Sequence, residues 1–304
     1  MLADNSQAIS IKKLTKRYKN GFLANDDINL YVNSGEVVGL IGLNGAGKTT
    51  FIRQLLGLLK PTSGEIAIKG IHPTQVRPYR DLVAYVPQNP LYYPSLTPSE
   101  VLEFSLISRK TNEQNKKEII STILQELDIN EYKDTEGYRL SPGIHKSILL
   151  ALALIKNAPV IIMDEPTNLV DIQKQRIIWD RLLAEKQRNK AILLTSHNIN
   201  EIRSLCDRIY FIASGKIIAN GRQDELFKEY KTPLELSLSF EDESLEIGKL
   251  GNMQMMNGFV KTSFENIKDG IRFLEDASNL GDLSSILMEG PSLENVIARI
   301  LREK

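Results

Sequence analysis

The sequence predicts an α/β fold built around a parallel β-sheet. Two continuous apolar runs, at 160–163 and 191–194, have the composition of strands buried on both faces, and a segment with helical spacing around 173–183 separates them. A third buried strand, at 37–41, leads into a glycine-rich turn and then into a helix at 49–56. Strands that alternate with helices in this order form parallel sheets covered by helices.

Antiparallel strands are predicted before and after these elements. Apolar and polar residues alternate between residues 9 and 31, which is typical of antiparallel strands with one buried face. Two short apolar runs, 209–212 and 216–218, are joined by Ser214 and Gly215, and this pattern predicts a hairpin.

A mostly helical lobe is predicted at about 90–157. Thr97 and Glu100 match a capping box, with Pro98 at the first helical position, so a helix should begin there. Helical spacing of apolar residues then recurs twice before residue 157.

The C-terminal segment differs in composition from the rest of the chain. From Pro233 onward there are 13 acidic and 7 basic residues, together with four of the six methionines. We therefore predict a main domain at 1–228, which contains the helical lobe, and a small α+β accessory domain at 233–304.

Composition and charge limit the possible function classes. The 304 residues are 42% apolar and 25% charged, which is typical of a globular chain with a sizeable core. Lys and Arg balance Asp and Glu at 38 each, so we expect no nucleic-acid partner. The single cysteine, Cys206, excludes an internal disulfide, and the first residues do not resemble an export signal, so we expect a reducing cytosol. The longest apolar run, 148–155, is too short to cross a bilayer.

The glycine-rich turn matches the phosphate-binding pattern G-x-x-x-x-G-K-[ST]. The match comprises Gly42, Leu43, Asn44, Gly45, Ala46, Gly47, Lys48 and Thr49. Glycines here let backbone N–H groups approach phosphates at a helix N-terminus, Lys48 would reach the terminal phosphates, and the Thr49 hydroxyl would ligate Mg²⁺. We expect Gly42 and residues 44–50, which include Thr50, to bind a nucleotide. The alternative is a chance glycine turn, which the preceding strand and following helix disfavour.

Two adjacent carboxylates complete the chemistry that this loop requires. Asp164 follows the apolar run 160–163, so it should lie at the carboxyl end of a parallel strand, where it could ligate the metal. Glu165 is one residue further and could orient and deprotonate the attacking water. The alternative for Glu165 is an ordinary surface carboxylate.

Glu165, Pro166 and Thr167 after Asp164, with the phosphate loop upstream, resemble the ATP-binding subunit of an ABC transporter. The resemblance covers about residues 8–228 and implies a P-loop NTPase fold, with ATP and Mg²⁺ as ligands.

Four further positions match motifs of that family. By resemblance, Tyr18 would stack on adenine, although a tyrosine in a strand is often a packing residue. Gln88 matches the glutamine that contacts magnesium and senses the membrane subunit, and His197 matches the switch histidine that binds the γ-phosphate. Asp171 matches an aspartate that links the two nucleotide sites of a dimer, although the glycine usual in the turn before it is missing.

The family's signature sequence, Leu-Ser-Gly-Gly-Gln, is altered in this chain. Here it is Leu140, Ser141, Pro142, Gly143 and Ile144. Ser141 as N-cap and Pro142 at the first helical position favour a helix start, so the helix dipole can still face a phosphate. We therefore expect Ser141 and Gly143 to contact ATP. In this family, an apolar residue in place of the glutamine is common in exporters whose membrane subunits are separate chains.

The resemblance also implies partners. The signature of one subunit closes on the ATP held by another, so we expect a homodimer, with a heterodimer of two different ATPase subunits as the alternative. We also expect an integral-membrane permease subunit, which would hold the chain at the cytoplasmic face of the membrane. The aromatic loop 89–96 would accept a short helix of that subunit or would pack between lobes. Residues 290–296 resemble the closing element of exporter ATPase subunits and could stabilise the dimer.

Two alternatives from other classes are kept. One is a soluble ABC protein without a transport function, which the single ATPase domain and the neutral net charge disfavour. The other is a weakly catalytic subunit that binds ATP as a structural partner, which the altered signature favours. Drug, peptide, lipid and polysaccharide all stay open as the cargo.

Overall fold

The computed structural model describes residues 7–89, 93–109, 112–230, 233–240, 254–256, 259–279, 281–290 and 292–302. The chain forms two compact units, Met1–Gly221 and Arg222–Lys304. This division assigns residues 222–228 to the C-terminal unit, whereas the sequence predicted that the first domain extends to residue 228.

The first part of the chain contains strands β1 to β9 and helices α1 to α7. The strands span Gln7–Arg17, Leu23–Asn33, Val37–Ile41, Ser63–Ile68, Val83–Val86, Val160–Asp164, Ala191–Thr195, Arg208–Ala213 and Lys216–Arg222. The helices span Lys48–Leu55, Val76–Leu82, Pro98–Ile107, Glu113–Glu126, Pro142–Ile155, Ile172–Gln187 and Ile199–Leu205.

A central sheet with the strand order β5-β6-β7-β3-β8-β9 carries the predicted parallel strands. Strands β3, β6 and β7 are parallel, so all three predicted buried strands are confirmed. Their residues are buried along their whole length, because the sheet is covered on both faces. The carboxyl ends of these strands therefore meet at one edge, where the phosphate loop follows β3 and where Asp164 ends β6.

A second sheet, with the order β2-β1-β4, confirms the antiparallel strands predicted between residues 9 and 31. One hydrophobic core joins this sheet to the central sheet and to α1. It includes Leu14 and Leu30 from the antiparallel sheet, Val38 and Leu193 from the central sheet, and Phe51 from α1. The helix after the phosphate loop is thus fixed by packing of its apolar residues in this core.

The predicted helical lobe is confirmed by α3, α4 and α5. Thr97 and Glu100 form the capping box of α3, with Pro98 in the first turn. At the start of α5, the Ser141 hydroxyl accepts a hydrogen bond of 3.3 Å from the Ile144 N–H. Both helix starts therefore follow the predicted capping chemistry.

The predicted hairpin is formed by β8 and β9. Its turn residues, Ser214 and Gly215, have φ values of 45° and 80°, as a tight turn between twisted strands requires.

The C-terminal unit combines one sheet with helices, as the predicted α+β extension requires. Its elements α8, β10, β11, β12, α9, β13 and α10 span Gln223–Glu229, Leu234–Phe240, Gln254–Met256, Phe259–Phe264, Ile267–Ser278, Leu283–Glu289 and Leu293–Arg302. The sheet order is β11-β12-β10-β13. Leu236, Leu238 and Val260 from the sheet pack with Phe273 and Ala277 of α9. Across the described ranges, none of the helices has the length and apolarity needed to cross a membrane.

Candidate nucleotide-binding site

The phosphate loop connects β3 to α1 through glycines that no other residue could replace without strain. Gly45 and Gly47 have φ values of 80° and 108°, in the left-handed region. A Cβ atom on Gly47 would lie 2.3 Å from the Ala24 carbonyl oxygen, and one on Gly42 would lie 2.3 Å from the Ile212 carbonyl oxygen. The backbone can therefore turn tightly, which leaves the N-terminus of α1 open to an anion.

Hydrogen bonds hold this loop from both sides. The Lys48 Nζ donates to the carbonyl oxygens of Gly42 and Leu43, at 2.6 Å and 3.3 Å. On the buried side, the Asn25 amide donates to the Gly47 carbonyl at 3.2 Å, and Gln54 donates to Asn25 at 2.7 Å. Asn25 and Gln54 are fully buried, so these amides fix the loop from the protein interior.

A cavity of about 270 Å³ lies over this loop. It is lined by Phe22, Ala24, Asn44, Gly45, Ala46, Gly47, Lys48, Thr49, Thr50, Gln88, Asp164 and Glu165. The cavity thus brings together the predicted loop residues 44–50, the predicted glutamine and both predicted carboxylates. Among the described residues, six other predicted ones do not line it: Tyr18, Gly42, Ser141, Gly143, Asp171 and His197.

Tyr18 lies beside the cavity and contacts two residues that line it. Its hydroxyl is 3.4 Å from the Thr50 Oγ1, and its ring stacks on Phe22 with a centroid distance of 6.4 Å. Phe22 is 58% exposed and was not among the predicted site residues. A tight turn, in which the Tyr18 N–H donates to the Phe22 carbonyl at 2.8 Å, brings the two rings together. An exposed aromatic face at this place can stack on a planar base.

The acidic residues are positioned by the strand that follows them in the sheet. Asp164 pairs with Thr195 across β6 and β7, and the Thr195 Oγ1 donates to the Asp164 Oδ1 at 2.5 Å. The Glu165 N–H donates to the Thr195 carbonyl at 3.0 Å. The sequence analysis did not identify Thr195, because the strand register that brings it to Asp164 is set by tertiary structure.

Glu165 and His197 form a contact pair at the sheet edge. The His197 Nδ1 is 2.7 Å from the Glu165 Oε2, and the His197 N–H donates to the same oxygen at 3.3 Å. Glu165 is buried whereas the His197 side chain is 68% exposed. The histidine therefore touches the buried carboxylate on one side and is open to a ligand on the other.

The residues predicted to hold Mg²⁺ fit the preferences of that ion. Thr49, Gln88 and Asp164 all line the cavity and offer hydroxyl, amide and carboxylate oxygens. Mg²⁺ is usually bound through one or two carboxylates plus substrate phosphates and water.

The altered signature lies outside the cavity of its own chain. Ser141 caps α5, and a Cβ atom on Gly143 would lie 3.0 Å from the Leu169 carbonyl oxygen. Leu169 has a φ of 69° and is 64% exposed, so this turn presents an apolar side chain to the surface. Asp171, at the end of the same turn, caps α6 by accepting a hydrogen bond of 2.9 Å from the Lys174 N–H.

Lys146 is a third residue near the site, after Phe22 and Thr195, that the sequence analysis did not identify. It lies on α5 and is 1% exposed, and its Nζ donates to the carbonyl oxygens of Pro87, Gln88 and Asp164. Burial lowers the pKa of Lys146 to about 8, and the nearby Asp164 and Glu165 partly oppose this effect.

The fold and the site together define a P-loop NTPase. A glycine-rich loop lies between a parallel strand and a helix, and an acidic residue ends the strand that is two places away in the sheet. Comparison with known proteins identifies the family. The family model for ABC transporters matches residues 25–168.

Relatives of known description support the same assignment. The chain is 34% identical to "Nod factor export ATP-binding protein I" of Bradyrhizobium diazoefficiens over 231 residues, and this aligned region covers 74% of each chain. It is 34% identical to the protein of that name from Mesorhizobium japonicum, over 73% of this chain and 66% of the relative. It is also 27% identical to "Cholesterol transporter ABCA5" of Rattus norvegicus, over 99% of this chain but 20% of that protein.

Solved structures agree with the sequence relatives. The ATP-binding subunit of an ABC transporter superposes with a TM-score of 0.68 at 27% identity, over 73% of this chain and 93% of that one. A dimeric ATP-binding cassette bound to ADP and phosphate superposes with a TM-score of 0.65 at 26% identity, over 70% of this chain and 98% of that one. The chain belongs to the ABC transporter family of ATP-binding proteins and is an ATP-hydrolysing P-loop NTPase.

Proposed function

We propose that this chain is the ATP-binding and ATP-hydrolysing subunit of an ABC exporter. The observation that carries the proposal is the cavity in which the phosphate loop, Asp164 and Glu165 converge. The relatives named for Nod factor export, and a signature with Ile144 in place of glutamine, favour export over import. The relative named for cholesterol transport is compatible with a lipid-like cargo, and drug and peptide cargoes stay open.

We assign the tasks of the proposed reaction to residues that line the cavity or lie beside it. Backbone N–H groups of the loop and the Lys48 ammonium bind the phosphates, while Thr49, Gln88 and Asp164 hold Mg²⁺. Mg²⁺ held by these three residues would supply positive charge that offsets the negative charge on the phosphate oxygens. Glu165 orients the attacking water and accepts its proton. His197 keeps the Glu165 carboxylate in place and contacts the terminal phosphate from its exposed side.

We further propose that the site is completed by a second ATPase subunit. Ser141 and Gly143 lie outside the cavity of their own chain, and a related cassette has been solved as a dimer with ADP and phosphate. The N-terminus of α5 would close on the nucleotide of the partner, where the positive end of the helix dipole attracts phosphate. A homodimer satisfies both sites with one sequence, and a heterodimer is the alternative.

A groove on the helical lobe supports a membrane-embedded partner. It has a volume of about 280 Å³ and is lined by apolar residues that include Tyr93, Leu96, Val101, Phe104 and Leu152. Phe104 is 59% exposed, so the groove presents an aromatic ring to solvent. The groove fits a short amphipathic helix from the permease, which would hold the chain at the cytoplasmic face of the membrane. Residues 90–92 of the predicted loop 89–96 lie outside the described residues.

The replacement Glu165→Gln tests the proposed chemistry. The amide keeps the size of the side chain but cannot accept the proton of the water, so we expect turnover to fall by at least about 100-fold. ATP affinity should stay within about 2-fold, because the loop residues that bind the phosphates are unchanged. Turnover by the purified chain and the Kd for ATP measure the two effects.

Glu118→Gln, an exposed position on α4, is the matched control and should behave as the wild type. Normal turnover in Glu165→Gln would remove Glu165 from the role of base. Tight ATP binding by the wild type with no turnover at any concentration would favour the weakly catalytic subunit instead.

A further inference from the structure

The three hydrogen bonds of Lys146 use its entire bonding capacity. A lysine ammonium has three N–H donors and no acceptor. The Nζ lies 2.6 Å from the backbone carbonyl oxygen of Pro87, 3.0 Å from that of Gln88 and 3.3 Å from that of Asp164. Burying a charged group is costly unless all its donors are satisfied. The three carbonyl oxygens around the Nζ satisfy all three donors of Lys146.

The three carbonyl groups belong to the two chain segments that deliver Gln88 and Asp164 to the cavity. β5 and β6 are paired along their length, with Val86 opposite Met163. Beyond that pair the ladder ends, and the carbonyls of Pro87, Gln88 and Asp164 accept hydrogen bonds from Lys146 instead. The lysine thus continues the contact between the two segments at the point where the sheet no longer provides it.

Lys146 also fixes both segments to the helix that carries the signature. It lies on α5, whose N-cap is Ser141, and α5 is a regular helix from Pro142 to Ile155. We propose that Lys146 is a positioning residue for ATP hydrolysis, which holds the Gln88 loop and the end of β6 at a fixed place relative to α5. This inference rests on the proposed function, and it adds a residue that touches neither ATP nor the phosphate loop.

The same helix provides a matched control. Lys156 follows the C-terminal end of α5, and its Nζ donates to the carbonyl oxygens of Arg80 and Val83. Val83 begins β5, so this contact lies at the end of the strand remote from the cavity. Lys146 and Lys156 therefore make the same type of bond to opposite ends of one strand, and Met can replace either with a side chain of similar length.

The first experiment compares the kinetics of Lys146→Met and Lys156→Met. We expect Lys146→Met to lower kcat by about 10-fold or more and to raise the Mg²⁺ concentration needed for half-maximal turnover. Its KM for ATP should stay within about 2-fold, because Lys146 does not contact the phosphate loop. Lys156→Met should stay within about 2-fold of the wild type in kcat. Equal kcat values for the two variants would overturn the proposal.

A double-mutant cycle tests whether Lys146 acts through Gln88. If it does, adding Lys146→Met to Gln88→Ala should lower kcat by less than it does in the wild type, whereas effects of independent residues multiply. If the effects of the two replacements on kcat multiply fully, Lys146 does not act through Gln88.

The second experiment does not depend on turnover. Amide hydrogen exchange of the nucleotide-free protein should increase in peptides that cover residues 84–89 and 161–168 in Lys146→Met, but not in Lys156→Met. Unchanged exchange in both peptides would refute the positioning role even if the wild type proves inactive. An inactive wild type with the expected exchange pattern would instead refute the proposed ATPase function and leave the structural link established.

Discussion

Glu165 has a backbone conformation that residues other than glycine seldom adopt. Its φ is 51°, in the left-handed region, and it comes directly after the last residue of β6. Such a strained conformation persists where neighbouring groups hold it in place. Here the Glu165 N–H donates to the Thr195 carbonyl at the end of β7, and the Glu165 side chain is hydrogen-bonded to His197. The strained turn directs two successive carboxylates, Asp164 and Glu165, into one cavity.

At the same scale, Lys48 gives a prediction about binding. Its ammonium is the cation of the phosphate loop, and a hydrogen bond to a charged group contributes about 1.5–3 kcal/mol. Lys48→Ala should therefore raise the Kd for ATP by about 10-fold or more. Lys60→Ala, an exposed lysine outside the loop, serves as the control. Titration of both variants with ATP would settle the point, and an unchanged affinity in Lys48→Ala would contradict the assigned phosphate loop.

Glu201 gives a prediction about pH. Its carboxylate is 1% exposed and accepts hydrogen bonds from Thr167 at 2.8 Å and Trp179 at 3.3 Å. Burial raises the pKa of Glu201, so the folded state binds this proton more tightly than the unfolded state. Protonated Glu201 therefore contributes fully to the free energy of unfolding at low pH, and this contribution is lost as the pH rises through its raised pKa.

The replacement Glu201→Gln keeps an acceptor for these bonds and removes the buried charge. We expect its melting temperature to exceed that of the wild type at about pH 7, and the difference to shrink as the pH is lowered towards about 5. Thermal melts over this range, with Glu118→Gln as control, measure the effect. A difference that does not vary with pH would show that the charge of Glu201 is not its cause.

At the scale of elements, α5 has two roles that one pair of variants can separate. Ser141 caps the helix, and it is also the residue proposed to face the phosphate of the partner subunit. Ser141→Ala removes the cap and should cost about 1 kcal/mol of stability. Ser141→Asp keeps a good cap but places a negative charge where a phosphate is proposed to bind.

We therefore expect Ser141→Asp to melt close to the wild type and yet to lose most of its turnover. Thr97→Ala, which removes the equivalent cap of α3, should lose stability without this specific loss of turnover. Melting temperatures and turnover of the three variants are the measurements. Full turnover in Ser141→Asp would mean that the N-terminus of α5 faces no phosphate.

Elements with strong local signals were predictable from the sequence. The phosphate loop, the parallel strands and the N-caps of α3 and α5 depend on residues that are close in the chain, so their patterns are visible without a structure. β4 and β5 were not predicted, because Ser63–Ile68 begins with exposed residues and Val83–Val86 is too short to show a period. Yet β5 is the strand that delivers Gln88 to the cavity.

The partners of the site residues were missed for a related reason. Thr195 reaches Asp164 through the register of β6 and β7, and Lys146 reaches Gln88 across the boundary between sheet and helical lobe. Phe22 differs, because it lies four residues after Tyr18 and could have been suspected from an aromatic pair around a glycine turn. Contacts between distant segments can be predicted only once the fold is known, whereas contacts between residues close in the chain can be predicted from the sequence.

At the scale of the whole molecule, the separation of Ser141 from the cavity has a consequence for assembly. A chain whose signature serves a neighbour should be active only as a dimer, so its specific activity should rise with protein concentration. A dimer with two identical shared sites also allows two inactive variants to complement each other. Lys48→Ala damages the nucleotide side of a site, and Ser141→Asp damages the signature side.

At an ATP concentration well below the raised Kd of Lys48→Ala, mixing these two variants should restore part of the activity that each lacks alone. In a mixed dimer, the intact loop of the Ser141→Asp chain faces the intact signature of the Lys48→Ala chain, so one site of two is complete. Random pairing makes about half of the dimers mixed, so the mixture should reach at most about a quarter of the wild-type turnover. Lys48→Ala mixed with Glu165→Gln is the control and should stay inactive, because both lesions lie on the nucleotide side and every site keeps one. No gain from the first mixture, with an active wild type, would rule out shared sites in a homodimer.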